Sequence, residues 1–465
     1  MNSIQQRSFY IFYKTETYSI CSFLNIENFS AENIISKNTI LMLNTRKSFL
    51  FIVFISVIYL SGCKASEEFT GYSYDPEGVT ETSDREINPQ NKRTIGFLED
   101  GVWITNEFRG SRVNDVIRIS AYHYRLQINP EISPINNSPW YGFQVWADDS
   151  TRVSLELTYA DGHHRYRPEI SYDGGQTWQT ADSTNYNREP ETRNGIISLA
   201  VGPEPVWISA QVPQTTTEFR EWSDRLAIKP FIQRSVVGSS HQGRPIYQLK
   251  ISEYSDEPVK GVILIYGRQH PPEIPGYLTG LHFIEELASD TELAKKFRTY
   301  FDIWTYPLMN PDGADNGHWR TNAAGVDLNR DWQYFNQPET NAVRRSLLPL
   351  LKRDDRKVFY AIDFHSTGET IFYPILEEID TFPHLFTYQW LDQIKRELPD
   401  FELNVEPFPT NSPIAKNWSH KTFGIDAVTY EVWDGLPKDQ LEKLGAESAR
   451  IFMEMMISEF EDEVK

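Results

Sequence analysis

The chain between about residues 94 and 215 alternates apolar and polar positions with a period of two. Clear examples are residues 140–146 and 151–158, and turn signals such as Asp161-Gly162 and Asp173-Gly174 separate the runs. A half-buried strand produces this alternation, because its successive side chains point to opposite faces of a sheet. Many short strands at this spacing predict an antiparallel β-sandwich, which we place at residues 94–216.

From residue 217 to residue 465 the pattern is different, because short, wholly apolar runs alternate with segments of helical periodicity. The strand-like runs include residues 261–266, 358–364 and 428–432, and the helical patterns lie at about 217–226, 276–289, 338–352, 383–398 and after Pro437. Wholly apolar strands are typical of a parallel sheet covered on both faces. The pattern predicts an α/β domain with a mixed, largely parallel sheet flanked by helices.

The first 93 residues fit neither domain. From Met42 the chain has two basic residues, an apolar run at 49–60 and small residues before Cys63, which resembles a bacterial lipoprotein signal. Twelve apolar residues are too few to span about 30 Å of hydrocarbon, so a transmembrane anchor is less favoured. We therefore expect a leader and signal at 1–62, a true start at Met42, a lipid on Cys63 and a flexible polar tether at 63–93.

Charge and cysteine content narrow the possible functions. The chain has 45 basic and 65 acidic residues, a formal net charge of −20, and this argues against a nucleic-acid partner. Its two cysteines, Cys21 and Cys63, both precede the predicted domains. We therefore expect the folded part to depend on burial rather than on disulfides.

Candidate chemistry lies at the ends of the apolar strands. His270 and Glu273 follow the first run closely, and His365 ends the second. Ligands bind at the carboxyl ends of such strands, and two histidines with one glutamate hold zinc while leaving a position open. Glu431 lies within the third run, where an unpaired acid is costly, and we expect it to act as a general base. A loop histidine beside a solvated glutamate is the ordinary alternative for the His270 pair.

Further motifs, which follow one another in a fixed order, support the hypothesis of a catalytic zinc site. Asn-Pro-Asp-Gly stands at 310–313, Trp-Arg at 319–320, Gly-Val-Asp-Leu-Asn-Arg at 325–330 and Asp-x-His at 363–365. With these motifs, residues 235–460 resemble the M14 (carboxypeptidase A-like) zinc peptidases. The resemblance implies one Zn²⁺ held by His270, Glu273 and His365, and a peptide substrate.

The same resemblance suggests roles for neighbouring residues. It implies that Asp327 hydrogen-bonds the first zinc histidine and that Arg320 stabilises a developing oxyanion. It implies that Asn329 and Arg330 grip the terminal carboxylate of the substrate, which would confine cleavage to the chain end. A helix or loop cap is the alternative for Asp327, and an exposed ion pair is the alternative for Arg330.

Two positions, Pro409 and Lys416, affect what the family resemblance implies about catalysis and specificity. The family's tyrosine, 22 residues before the catalytic glutamate, falls on Pro409, so one hydrogen-bond donor is missing or comes from elsewhere. Lys416 stands fifteen residues before Glu431, where the resemblance implies the pocket for the terminal side chain. A cation there predicts a preference for acidic C-terminal residues; the alternative is a solvated surface lysine.

The upstream β domain is similar in placement to that of the cytosolic carboxypeptidases, and its role is open. The favoured function is a lipid-anchored zinc exopeptidase of the bacterial envelope, periplasmic or surface-facing, acting on protein C-termini or peptidoglycan stem peptides. One alternative is an N-acyl amino acid deacylase of the aspartoacylase type. Another is a non-catalytic surface binding module whose zinc is structural.

Overall fold

The computed structural model describes residues 85–256 and 260–464, which belong to a single unit of the chain. The predicted leader, the lipidation site at Cys63 and most of the predicted tether lie outside the described residues. Within the described part of the chain, no helix combines the length and apolarity needed to cross a membrane.

The upstream region contains eleven strands in two sheets. They are β1 (Thr94–Phe97), β2 (Val102–Thr105), β3 (Asp115–Ser120), β4 (His123–Ile128), β5 (Gly142–Ala147), β6 (Thr151–Tyr159), β7 (Glu169–Ser171), β8 (Gln179–Thr180), β9 (Tyr186–Arg188), β10 (Gly195–Val201) and β11 (Val206–Ser209). One sheet has the order β1-β2-β5-β11-β7-β8, and the other has the order β3-β4-β6-β10-β9.

Inward-facing side chains of both sheets share one core, as the period-two pattern predicts. Phe143 and Val145 of β5 lie in it with Val153 and Leu155 of β6, and all four are buried. One feature differs from the expected antiparallel arrangement, because β4 and β6 pair in parallel. Their connection runs through β5 of the other sheet, and such a crossover returns the chain in the same direction.

The end of the predicted tether is held against the folded region. The Asn88 N–H donates to the Glu131 carbonyl at 2.6 Å, and the Gln90 side chain donates to the carbonyls of Ser111 and Asn316 at 2.7 and 2.8 Å. These contacts join residues 88–90 to the upstream sheets and to the α/β region. Residues 88–90 are therefore part of the folded structure.

In the second region, the described residues form eight helices and eight strands. The helices are α1 (Thr216–Leu226), α2 (Ile274–Leu287), α3 (Glu292–Tyr300), α4 (Pro311–Asn316), α5 (Pro338–Leu347), α6 (Phe386–Glu397), α7 (Ala415–Phe423) and α8 (Lys438–Val464). The strands are β12 (Ile232–Ser239), β13 (Pro245–Ile251), β14 (Lys260–Gly267), β15 (Phe301–Tyr306), β16 (Arg356–Thr367), β17 (Ile371–Tyr373), β18 (Asn404–Val405) and β19 (Asp426–Trp433). Short 3₁₀ turns lie at Leu328–Arg330 and Leu348–Lys352.

These strands form one mixed sheet with the order β12-β13-β15-β14-β16-β19-β17-β18. Its centre, β15-β14-β16-β19, is parallel, and both faces are covered. Ile263 and Ile265 of β14 enter one hydrophobic core, and Val262 and Leu264 enter the core on the opposite face. This two-sided burial explains the continuous apolar run in the sequence and confirms the predicted fold class.

The sequence predicted the longer helices and missed three short ones. The predicted helices near 217–226, 276–289 and 383–398 correspond to α1, α2 and α6 within three residues at each end. The pattern at 338–352 covers α5 and the 3₁₀ turn that continues it. Sequence reasoning missed three helices, α3, α4 and α7, which have nine, six and nine residues and too few turns for the period to be recognised.

Candidate metal centre

Three predicted ligands meet at the carboxyl edge of the parallel strands. His270 and Glu273 lie in the turn between β14 and α2, and His365 lies near the end of the neighbouring strand β16. One ligand atom from each residue lies within 4.8 Å of the other two, and all three residues are buried. Side chains far apart in sequence thus converge because adjacent parallel strands end at one edge.

Each imidazole has a fixed orientation in this cluster. His270 Nδ1 lies 2.8 Å from Glu273 Oε1, and His365 Nδ1 lies 2.7 Å from Glu273 Oε2. On the opposite side of the rings, His270 Nε2 lies 2.8 Å from Asp327 Oδ1 and His365 Nε2 lies 2.9 Å from Asp363 Oδ2. A carboxylate at Nε2 holds the ring proton there and leaves the Nδ1 lone pair free for a metal.

This donor set fits a single zinc ion. Two imidazole nitrogens and one carboxylate oxygen are ligands that catalytic zinc sites use, with one position left open. The Nδ1 atoms of His270 and His365 both face the Glu273 carboxylate, so the three donors surround one position. If the two histidines only formed hydrogen bonds within the fold, a carboxylate at both Nδ1 and Nε2 of each ring would not be needed.

Asp327 has the predicted contact with the first histidine, and Asp363 is its unpredicted counterpart on the second. The sequence did carry a signal for Asp363, because it is an acid in an otherwise apolar strand, two residues before His365. Asp327 also accepts a 2.6 Å bond from Arg320 Nε. Burial alone would raise the pKa of Asp327, but Arg320 and His270 hold it well below its usual range.

Glu431 lies beside the centre, in register with His365. Strands β16 and β19 pair in parallel with His365 opposite Glu431, so both side chains project from the same face. The Glu431 Oε2 atom is buried and has no hydrogen-bond partner among the described residues. Burial and the Glu273 carboxylate raise the pKa of Glu431 to about 8. A cation at the centre would favour the ionised form, which is the form a base requires.

Arg320, Asn329 and Arg330 lie around the same centre. Arg320 is buried, and its backbone lies in a loop held by the upstream region. Asn329 Nδ2 lies 3.2 Å from His365 Nε2, and its Oδ1 accepts from the Ala415 N–H at 2.9 Å. Arg330 Nη1 donates to the Asn329 carbonyl at 2.7 Å. The structure thus brings together three of the side chains that the family motifs predict.

Lys416 is buried rather than solvated, so the surface alternative is wrong. It lies in the first turn of α7, and its Nζ donates to the carbonyls of Pro374 and Phe408 at 3.0 and 3.2 Å. Burial lowers the pKa of Lys416 to about 7, and the Asp426 carboxylate offsets only part of that effect. Among the described residues, no carboxylate forms an ion pair with Lys416.

A tyrosine that sequence reasoning did not consider faces the same side of the sheet. In β17, Ile371 lies opposite Glu431 and Tyr373 lies opposite Thr429, whereas Phe372 points to the other face. Tyr373 and Glu431 therefore share a face. Burial and then the Glu431 carboxylate raise the pKa of Tyr373 far above its ordinary value. Only the pairing of β17 with β19 reveals this placement.

A mixed α/β sheet with a buried two-histidine, one-glutamate centre defines the class of mononuclear zinc hydrolases when an acid such as Glu431, whose Oε2 has no hydrogen-bond partner among the described residues, lies beside it. Residues 219–448 match the family model "Zinc carboxypeptidase", Peptidase_M14. Residues 219–448 therefore form a domain of the M14 zinc carboxypeptidase family.

Curated relatives agree with this assignment. Human cytosolic carboxypeptidase 6 is 26% identical over 283 residues, which are 56% of this chain and 56% of the relative. Cytosolic carboxypeptidase 6 of Caenorhabditis elegans is 23% identical over 333 residues, which are 65% of this chain and 72% of the relative. The chain thus spans only about half the length of the human protein.

Solved structures show the same fold. A metallo-carboxypeptidase from Burkholderia cenocepacia has a TM-score of 0.65 and 19% identity, covering 77% of this chain and 99% of that one. A Pseudomonas aeruginosa metallo-carboxypeptidase, in complex with (2-guanidinoethylmercapto)succinic acid, has a TM-score of 0.61, 23% identity and the same coverages. The similarity covers more of the chain than residues 219–448, so it includes upstream β structure.

Proposed function

We propose that this protein is a zinc-dependent metallocarboxypeptidase that hydrolyses the C-terminal peptide bond of its substrate. One observation carries the proposal: Glu431, whose buried Oε2 has no partner among the described residues, stands in register with His365 beside the ligand cluster. A structural zinc site has no use for such an acid, and an unpaired buried carboxylate destabilises the fold. The presence of Glu431 at this position supports hydrolysis rather than a non-catalytic binding module.

The side chains around the centre would divide the chemistry among them. His270, Glu273 and His365 would hold the zinc ion, which would supply Lewis-acid chemistry at the scissile carbonyl. Glu431 accepts a proton from the attacking water and passes it to the leaving amine. Arg320, held at 2.6 Å from Asp327, presents a fixed positive charge to the oxyanion that develops.

Recognition of the chain end falls to Asn329 and Arg330. A guanidinium matches the two oxygens of a carboxylate, and the amide of Asn329 lies close to His365. Together they would bind a free C-terminal carboxylate next to the scissile bond. An amidated peptide of the same sequence is therefore expected to be a poor substrate, and equal rates on both forms would contradict exopeptidase action.

We further propose a preference for acidic C-terminal residues. The support is Lys416, whose buried ammonium contacts two carbonyl oxygens and no carboxylate among the described residues. A buried cation without a counterion favours a ligand that brings one. The substrates would be protein C-termini or peptidoglycan stem peptides, and profiling of the residues released from a peptide library tests the preference for an acidic C-terminal residue.

Location in the bacterial envelope, through a lipid on Cys63, also remains a proposal. It is supported by the sequence pattern that precedes Cys63. Metabolic labelling with a fatty-acid analogue tests it in the native host. Label on the wild type and none on Cys63→Ser is the expected result, and an unlabelled wild type would contradict it.

The central experiment compares wild type with Glu431→Gln. We expect one zinc per chain in both, and a kcat about 10²- to 10⁴-fold lower in the variant, on a short peptide ending in Glu. Zinc in both proteins with hydrolysis by neither would favour the binding module. Faster turnover of N-acetyl-aspartate than of the peptide would favour the N-acyl amino acid deacylase.

A further inference from the structure

A buried carboxylate of the upstream region lies directly against the loop that carries Arg320. Glu131 stands between β4 and β5 and is fully buried. It accepts hydrogen bonds from the backbone N–H groups of Trp319, Arg320 and Thr321 at 2.8, 3.0 and 2.8 Å. The Thr321 hydroxyl donates a fourth at 2.9 Å. One side chain thus fixes three consecutive peptide units that are distant in sequence.

This carboxylate is held in its charged form. Burial alone would raise the pKa of Glu131, but His318, Arg112 and the backbone N–H groups hold it below its usual range. Hydrogen bonds to an ionised acceptor are about twice as strong as neutral ones. The loop at 319–321 is therefore bound more firmly than ordinary turn contacts would bind it.

The loop connects directly to the metal ligands. Arg320 Nε donates to Asp327 Oδ2 at 2.6 Å, and Asp327 Oδ1 lies 2.8 Å from His270 Nε2. On the other side, Trp319 packs into the hydrophobic core of the upstream sheets, and its indole N–H donates to the Trp140 carbonyl at 3.1 Å. The backbone of Arg320 is thus bound by the upstream region, whereas its guanidinium contacts Asp327 beside the metal ligands.

A second contact joins the two regions near the centre. Arg165 of the upstream region forms an ion pair and hydrogen bond with Asp434, which directly follows β19. Glu431 lies on that strand, three residues earlier. The upstream region therefore contacts the segments that carry both proposed catalytic side chains.

We propose that Glu131 is a positioning residue for Arg320, so that the upstream β region is an integral part of the active site rather than a separate binding module. The inference rests on the proposed function. Oxyanion stabilisation depends on donors fixed in advance, and a displacement of about 1 Å can lower a rate about 10²-fold. Glu131 fixes the backbone from which the guanidinium of Arg320 projects.

The test uses full-length protein and the isosteric variant Glu131→Gln. We expect kcat for release of a C-terminal Glu to fall about 10- to 100-fold, with KM changed less than about 3-fold and zinc content unchanged. The matched control is Asp100→Asn. Asp100 is another upstream carboxylate, with a side chain only 4% exposed, and it bonds to Arg118 and Tyr124 at 2.7 Å rather than to the loop. Its variant should keep the wild-type kcat.

A double-mutant cycle separates positioning from general loss of stability. If Glu131 acts through Arg320, Glu131→Gln should lower kcat no further in an Arg320→Ala background. Thr321→Val, which removes only one bond, gives the same comparison if Glu131→Gln does not fold. Additive losses in either cycle, or a loss equal to that of Asp100→Asn, would overturn the inference. A wild type that releases no residue would instead refute the proposed function and this inference with it.

Discussion

The burial of Lys416 makes its proposed role testable through pH. Its pKa of about 7 means that the ammonium loses its proton within the range in which the enzyme can be assayed. Only the charged form attracts a substrate carboxylate. The preference for C-terminal Glu over the isosteric, neutral Gln should therefore be high below pH 7 and fall as the pH rises through this value.

The size of the effect follows from the environment of Lys416. Two charges about 4 Å apart attract by about 4 kcal/mol at an effective dielectric constant of about 20. Desolvation of both groups offsets part of this, and a net gain of about 1.5–3 kcal/mol corresponds to a ratio of about 10- to 150-fold. With a pKa of about 7 the ratio should fall roughly tenfold between about pH 6 and 8.

The assay measures kcat/KM for two peptides that differ only in their C-terminal Glu or Gln. Taking the ratio cancels ionisations at the metal centre, because both substrates share them. Lys416→Met should give a small ratio that does not change with pH. Lys421→Met, on the exposed side of the same helix, removes an equal charge and should behave as wild type. A wild-type ratio that is flat from about pH 6 to 8, or a Lys416→Met variant that still prefers Glu, would refute the reasoning.

Two further predictions concern the surroundings of the metal. Asp327→Asn should weaken zinc binding about 10- to 100-fold in a competitive chelator titration, because His270 loses the carboxylate that fixes its tautomer; unchanged affinity would contradict this. Tyr373→Phe should lower kcat while leaving zinc content unchanged, because Tyr373 carries a hydroxyl on the face that it shares with Glu431; an unaltered kcat would exclude Tyr373 as the replacement for the missing tyrosine.

The metal ligands were predictable because their signals are local. His270, Glu273 and His365 each follow or end an apolar strand, and parallel strands that end at one edge bring such residues together. The position of Glu431 could be predicted in the same way, since an acid within a buried strand is conspicuous. The fold class followed from the same two periodicities.

The contacts made by Glu131 could not be predicted, because no local pattern marks them. Its segment joins two strands and has no regular alternation, and its partners lie 188–190 residues away. The burial of Lys416 was also hidden, since α7 is a short helix with a weak period and the sequence did not reveal the carbonyls that receive the ammonium. Both depend on how two loops pack, which is a property of the whole fold.

The carboxylates that surround the two imidazoles have a consequence for how the protein acquires its metal. Glu273, Asp327, Asp363 and Glu431 would bring four negative charges into one buried volume, and the Arg320 guanidinium bonded to Asp327 offsets only part of that charge. Burial alone would lower the pKa of His365, but the Asp363 and Glu273 carboxylates raise it well above its usual range, so the cluster holds a proton when no divalent ion is bound. Zinc binding must therefore release protons from the cluster. Metal binding and proton release are coupled, so a lower pH favours release of the zinc.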